Sequence, residues 1–76
     1  MEMPLSQLGK GRSAVIKKII GGSGFKRKIS SLGLRIGKKV MIMSSQPFRG
    51  PLVVKVDCIG IAIGRGMANK IIVGAR

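Results

Sequence analysis

The side chains that enzymes use most often are scarce in this 76-residue chain. It contains no histidine, and its only acidic residues are Glu2 and Asp57. General acid–base catalysis usually depends on histidine or on paired carboxylates, and a serine or cysteine nucleophile needs an adjacent base. Cys58 ends an alternating apolar pattern, so we expect a small core residue there rather than a reactive thiol. The sequence therefore predicts a protein that is not an enzyme and has no catalytic residue.

The same inventory predicts no metal site and no cofactor. One cysteine and no histidine cannot supply the ligands of a tetrahedral zinc site within one chain. Asp57 and Cys58 are neighbours in a predicted strand, and successive strand residues point to opposite faces. We therefore expect these two side chains not to meet at one ligand.

The glycine-rich residues 21–24 and the basic residues after them could face an anion. Glycines before a helix resemble a phosphate cradle, because backbone N–H groups at a helix N-terminus attract anions, but the Walker A pattern is absent. An ordinary turn is the favoured interpretation of the glycines. Lys26, Arg27 and Lys28 come next, and cations in the first turn of a helix oppose its dipole. We interpret these three residues as facing a partner, with a tolerated run of surface charge as the alternative.

Two methionines form a second candidate binding surface. Met41 and Met43 alternate with Val40 and Ile42, so one pair faces the core and the other faces outward. With the valine and isoleucine inside, the methionines form a flexible apolar pair of the kind that adaptable protein-binding sites use. Ordinary surface or covered core is the alternative.

Short strands and one helix must position these residues. Apolar alternation and β-branched content predict strands near residues 12–20, 40–43, 52–58, 61–64 and 71–73. Phe25, Ile29 and Leu32 follow helical spacing, with Ser23 as the N-cap and Gly33 ending the helix. The sequence predicts single helical turns at residues 4–8 and 67–70, and a loop at residues 46–51.

Details of two strands follow from their side chains. Lys17 and Lys18 are adjacent, so we expect a bulge or a strand edge near them. In the strand that begins at Leu52, the alternation places Cys58 inward, and Gly60 permits a tight hairpin turn. The predicted core consists of Ile16, Phe25, Ile29, Leu32, Val40, Ile42, Val54, Val56, Ile61, Ile63 and Ile71.

These elements predict a mainly β fold. About five short antiparallel strands, with one short helix inserted after the first strand, suggest a small, partly open SH3-like barrel. At this length the chain holds one hydrophobic core, so we expect a single domain over residues 1–76.

The charge is the largest compositional anomaly. Fifteen lysines and arginines against two acids give a net charge of +13, which attracts polyanions without a specific site. Nucleic acid, an anionic membrane and an acidic protein surface could each bind such a chain.

The longest uncharged stretch, residues 40–48, is too short to span a bilayer. Without an export signal or a cysteine pair, we expect a cytoplasmic protein that does not span the membrane.

Nearly the whole chain resembles the ferrous iron transport protein A family, which consists of small cytosolic SH3-like proteins. The most specific part is the Leu32-Gly33-Leu34-Arg35-x-Gly37 box. The other matching residues are Pro4, Leu5, Ser6, Leu8, Gly11, Val15, Ile16, Lys17, Lys18, Ile19, Gly21, Gly22, Ala68, Ile71 and Val73. The chain departs from many relatives in its excess of cations and at residues 66–67.

The resemblance implies an accessory role in bacterial ferrous iron uptake. Such a protein would be an adaptor that binds and regulates the cytoplasmic GTP-binding portion of the membrane transporter ferrous iron transport protein B. Arg35 joins Lys26, Arg27, Lys28, Met41 and Met43 as the predicted partner-binding residues.

Two other classes remain open. A basic SH3-like module could bind RNA or the ribosome through phosphate contacts, although Phe25 and Phe48 are the only aromatic residues available for base stacking. The same small fold also occurs as the C-terminal domain of metal-dependent repressors, where we would expect a DNA-binding domain before it.

Overall fold

A six-stranded antiparallel sheet dominates the computed structural model, which describes residues 1–45 and 50–74. The strands run in the spatial order β1-β6-β2-β3-β4-β5. Their bounds are β1 Glu2–Pro4, β2 Ser13–Ile19, β3 Lys39–Ser45, β4 Leu52–Val56, β5 Ile59–Ile63 and β6 Ile71–Gly74. The other elements are a 3₁₀ turn at Leu5–Gln7 and two helices, α1 Ser23–Ser31 and α2 Arg65–Ala68. The mainly β prediction is therefore confirmed, with the helix α1 inserted after β2.

The structure has one strand more than the five predicted. This additional strand is β1, which was not predicted from the sequence. It is three residues long and pairs antiparallel with β6, with Met3 opposite Val73. Within the described residues, β1 and β5 each pair with one neighbour only, so the sheet is not closed. Residues 46–49 of the predicted loop lie outside the described residues.

The bulge expected near the adjacent lysines is present. The register between β2 and β6 shifts between Ile16 and Lys18. Ile16 and Ile19 are both buried, whereas Lys17 and Lys18 are both exposed. The extra residue lets two consecutive cations reach solvent while the apolar residues on either side of them stay in the core.

The predicted N-cap of α1 is wrong. Gly22, with φ −77° and ψ 175°, is the N-cap, and Ser23 is already the first helical residue. Lys26 is therefore the fourth helical residue, and Lys28 lies in the last turn, where a cation is favourable for the helix dipole. The three cations therefore do not all oppose the helix dipole. Unfavourable placement relative to the dipole is not an argument that all three residues contact a partner.

The predicted turn and core position after β4 are also wrong. Val56 pairs with Ile59, so the hairpin turn consists of Asp57 and Cys58. Both have positive φ, 50° and 68°, as in the type I′ turns that match the twist of two-residue hairpins. Cys58 is consequently exposed, and Gly60 lies within β5. The apolar alternation of β4 continues to Cys58, and neither turn residue is a glycine. The sequence pattern therefore did not indicate a turn at these residues.

The core lies among the sheet, the 3₁₀ turn, α1 and α2. All the predicted core residues are either buried or, for Phe25, Leu32 and Ile61, partly buried against the core. The predicted core omitted seven buried hydrophobic residues, namely Leu5, Ala14, Ile19, Leu34, Leu52, Ala68 and Val73. No helix in residues 1–45 and 50–74 combines the length and the apolar character that crossing a bilayer requires.

Candidate partner-binding surface

The glycine-rich connection before α1 is explained by packing. Gly21 has φ +140°, and a Cβ atom there would lie 2.9 Å from the Cδ2 atom of Phe25. The backbone must therefore pass directly beside the Phe25 ring, over which the Lys70 Nζ lies 5.1 Å from the centroid. Because these contacts account for the glycine at residue 21, we assign no phosphate cradle here.

The Leu32-Gly33-Leu34 segment ends α1 in a Schellman motif. The Gly33 N–H donates to the Ser30 carbonyl at 2.9 Å, and the Leu34 N–H donates to the Ile29 carbonyl at 3.2 Å. Gly33 has φ +92°, a conformation in which glycine avoids the steric cost of a Cβ. Leu34 is fully buried, as the hydrophobic residue of this motif often is. The motif therefore determines where the chain emerges at Arg35.

The turn that follows is held against β2 by backbone hydrogen bonds. The Gly37 N–H donates to the Ile16 carbonyl at 2.8 Å, and the Ile16 N–H donates to the Lys38 carbonyl at 2.9 Å. Lys38 also donates its own N–H to the Arg35 carbonyl at 3.0 Å. Arg35 and Ile36 therefore lie in a turn that backbone hydrogen bonds hold in place.

A groove of about 340 Å³ lies beside α1, and we name it the α1 groove. Its apolar interior includes the buried residues Ile19 and Leu34, while Ile36 is 67% exposed. Its lining comprises Lys18, Ile19, Lys26, Ser30, Leu34, Arg35 and Ile36. The fold thus brings together the end of β2, α1 and the turn after the Schellman motif.

The α1 groove collects cations from three elements. Lys18 comes from β2, Lys26 from α1 and Arg35 from the connection to β3, and all three are exposed. Neither acid of the chain lines the groove: Glu2 is in β1, and Asp57 pairs with Lys38. Electrostatically, this groove favours an anionic occupant.

Two of the predicted partner-binding residues, Lys26 and Arg35, meet in the α1 groove. Arg27 and Lys28 are exposed on the same helix but are not part of the groove lining. Lys18 and Ile36 line the groove without having been predicted as site residues. Signals for both existed in the sequence. Adjacent lysines in a strand indicate a bulge that faces solvent, and Ile36 is a large apolar residue directly before a glycine.

Met41 and Met43 lie on the outer face of the sheet, while Val40 and Ile42 are buried, as the alternation predicted. Met41 is half-buried and lies opposite Lys55. Met43 is 46% exposed. Met41 lines a second groove of about 320 Å³, here the hairpin groove, with Ser13, Lys39, Val40, Lys55, Asp57 and Cys58.

The expectation that Asp57 and Cys58 point to opposite faces is wrong. Both belong to the β4–β5 turn and both line the hairpin groove. The Asp57 carboxylate accepts a hydrogen bond from Lys38 at 2.6 Å. In the described part of the chain, no three His, Cys, Asp or Glu side chains gather into a group that could hold a metal ion.

Known proteins resemble this chain over most of its length. The family model described as the FeoA domain matches residues 3–75. A protein of Methanocaldococcus jannaschii, provisionally named Fe(2+) transport protein A, is 37% identical over 70 residues, which cover 92% of this chain and 83% of that protein. A fusion of Fe(2+) transport protein A with the Fe(2+) transporter FeoB, from Porphyromonas gingivalis, is 31% identical over 69 residues, covering 91% of this chain but 8% of the fusion.

Solved structures share the fold. A crystal structure of an iron uptake regulatory protein named FeoA has a TM-score of 0.89 and 32% identity, covering 97% of this chain and 96% of that one. A zinc complex of FeoA from Stenotrophomonas maltophilia, described as an SH3 domain protein, has a TM-score of 0.80 and 26% identity, covering 95% and 89%. The SH3-like prediction is therefore confirmed.

Proposed function

The chain belongs to the FeoA domain family, and from that premise we propose that it is an accessory protein of ferrous iron uptake. In this proposal residues 1–76 form one domain, an adaptor without enzymatic activity. It binds the cytoplasmic GTP-binding portion of the membrane transporter ferrous iron transport protein B and regulates GTP hydrolysis there. The protein is cytoplasmic and reaches the membrane through this partner.

The fused relative carries the proposal. In that Porphyromonas gingivalis protein, a segment 31% identical to this chain is part of the same polypeptide as the transporter. Fusion keeps two domains at a high effective concentration, which suits domains that act on each other. By extension, a separate chain of the same family would reach the transporter by binding it.

The chemistry of the described residues fits an adaptor better than an iron carrier. They gather no group of three potential metal ligands, while the net charge is +13. Complementary charge raises the association rate and selects partners. We therefore expect binding to depend on an acidic surface of the transporter.

A direct binding experiment tests this function. The full chain is titrated by calorimetry into the purified cytoplasmic portion of the transporter from the same organism, with and without a GTP analogue. We expect saturable binding that weakens as salt is added, because exposed charges are screened over about 8 Å at physiological ionic strength. GTP hydrolysis is followed in parallel. The absence of binding between two folded partners would contradict the proposal.

RNA binding is the second candidate, and the charge is the observation that favours it. Neutralisation of phosphates by lysine and arginine supports affinity that is independent of sequence. A mobility-shift assay with a short single-stranded RNA at physiological salt separates the candidates. Tight RNA binding together with no binding to the transporter would favour an RNA-binding module.

A further inference from the structure

We propose that the α1 groove is a docking site for an acidic, amphipathic segment of a partner protein. The apolar side chains of that segment enter the groove, and its carboxylates contact the surrounding cations. The inference rests on the proposed function for the identity of the partner, and it adds the surface used and the chemistry of the segment bound.

The apolar part of the groove is already formed. Ile19 and Leu34 are buried residues that line it, and Ile36 stands beside them with 67% of its surface exposed. A large exposed apolar residue next to an apolar groove is typical of protein-binding surfaces. The Gly37 to Ile16 hydrogen bond of 2.8 Å holds the turn that carries Ile36 against β2. A surface that is already ordered loses less conformational entropy on binding.

The charged part of the groove specifies an acidic partner. Lys18, Lys26 and Arg35 line it from three different elements, and neither of the chain's two acids lines it. An arginine guanidinium matches a carboxylate with two parallel hydrogen bonds. A segment with glutamate or aspartate beside its apolar residues would therefore satisfy both the apolar interior and the cations.

The lining of the α1 groove favours a protein segment over RNA or a membrane. Among the described residues, no aromatic side chain lines the groove, so it offers no platform on which bases could stack. Among the described lining residues, Ile36 is the one exposed apolar side chain, while Ile19 and Leu34 are buried. Binding at a membrane surface normally uses a broader exposed apolar face. The α1 groove is open to solvent, and its volume of about 340 Å³ has room for a few side chains of a helical or extended segment.

The experiment uses the full, isotope-labelled chain and a defined probe. The probe is a fluorescent synthetic peptide with leucines at helix positions i, i+3, i+4 and i+7 and glutamates at most other positions. We expect saturable binding at about 0.15 M salt, with amide shifts concentrated at Ile19, Leu34 and Ile36. A peptide with serine in place of each leucine is expected to bind at least about tenfold more weakly.

Matched charge variants test the cations. The double variant Lys26→Glu with Arg35→Glu is expected to weaken peptide binding by about tenfold or more. The control, Lys10→Glu with Arg12→Glu, makes the same change in net charge at exposed residues outside the groove. It is expected to weaken binding by less than about threefold, through the general field alone.

Matched apolar variants test the interior. Ile36→Ser is expected to weaken peptide binding by roughly tenfold, whereas Ile59→Ser, at a residue that is 63% exposed on β5, leaves it unchanged. Both residues are exposed, so both variants are expected to fold, and their amide spectra verify this.

Several results would overturn the inference. Shifts away from the groove would do so, as would equal losses in the two charge variants. Saturable groove shifts with phosphatidylglycerol vesicles or with a short RNA, without binding of the peptide, would assign the groove to lipid or to nucleic acid instead. The same variants are then titrated with the transporter's cytoplasmic portion. If the peptide binds in the groove but the transporter portion does not bind, only the proposed function is contradicted. If the transporter portion binds the groove variants as tightly as the unmodified chain, only the inference is contradicted.

Discussion

The Nζ atom of Lys38 lies 2.6 Å from a carboxylate oxygen of Asp57, joining the connection before β3 to the turn between β4 and β5. The two side chains are 40% and 62% exposed, so the ion pair contributes at most about 1 kcal/mol to stability. Its larger consequence is electrostatic. Asp57 is one of two acids in the chain, and it neutralises a cation beside the hairpin groove while the α1 groove has no such acid.

The turn that carries Asp57 should become more stable with glycine as its second residue. Cys58 has φ +68°, which costs a residue with a Cβ on the order of 1 kcal/mol and costs glycine little. We expect Cys58→Gly to raise the free energy of unfolding by up to about 1 kcal/mol in urea denaturation. Cys58→Ala, which keeps the Cβ, serves as the control. Equal stability of the two variants would show that the turn is not strained.

Gly21 and Gly24 should respond to alanine in opposite directions. A Cβ at Gly21 would lie 2.9 Å from the Phe25 ring at φ +140°, so Gly21→Ala is expected to destabilise the protein by about 1–3 kcal/mol. Gly24 lies in α1, and a Cβ added there would meet no described atom within 4 Å. At that residue alanine is expected to stabilise by about 0.5–1 kcal/mol. Thermal unfolding distinguishes the two, and a neutral Gly21→Ala would contradict the packing described for Phe25.

A carboxylate in the core should prevent folding. Val54 is fully buried, and an unpaired charge there would cost several kcal/mol, comparable with the whole stability of so small a domain. We expect Val54→Asp to abolish the cooperative unfolding transition seen by circular dichroism. Ala62→Asp, at an exposed residue of β5, is expected to retain it. A normal transition in Val54→Asp would mean that the register of β4 is wrong.

Replacement of Lys26, Arg27 and Lys28 by glutamate should separate stability from binding. Acids are favourable early in α1 and unfavourable in its last turn, where Lys28 lies. We therefore expect the Tm to change by no more than about 4 °C. Binding to the transporter's cytoplasmic portion is expected to weaken, and RNA affinity is measured on the same variant. If the transporter binds as tightly as before, these residues are not the contact, and Met41 with Met43 becomes the next surface to test.

The protein alone should not bind ferrous iron or zinc at low micromolar concentration. It has no histidine, and Asp57 and Cys58 are adjacent residues that provide at most two ligands, fewer than a protein zinc site normally uses. Anaerobic calorimetry is expected to show no saturable one-to-one heat. A mass measurement accompanies the titration, because a dimer could combine these ligands from two chains. Saturable binding by the monomer would refute the prediction.

Five of the six strands, the helix α1 and about half of the buried core were predictable because their signals are local. Burial of one face of a strand or helix leaves a period in the sequence, as in Val54 and Val56 or in Phe25 and Ile29. The adjacent lysines at residues 17 and 18 predicted the bulge for the same reason. The absence of histidine likewise argued against most catalytic chemistry from composition alone.

The hairpin turn and the α1 groove depend on tertiary structure. The alternation of β4 runs on to Cys58, so the pairing of Val56 with Ile59 decided where the strand ends. Lys18, Lys26 and Arg35 belong to three different elements. The packing of α1 on the sheet, with the Schellman motif at its end, placed them around one groove. The residue types alone gave the net charge, and their periodicity indicated which side chains face the core. Contacts between residues distant in sequence determined which cations share a surface, because periodicity records which face a side chain is on and not what lies opposite it.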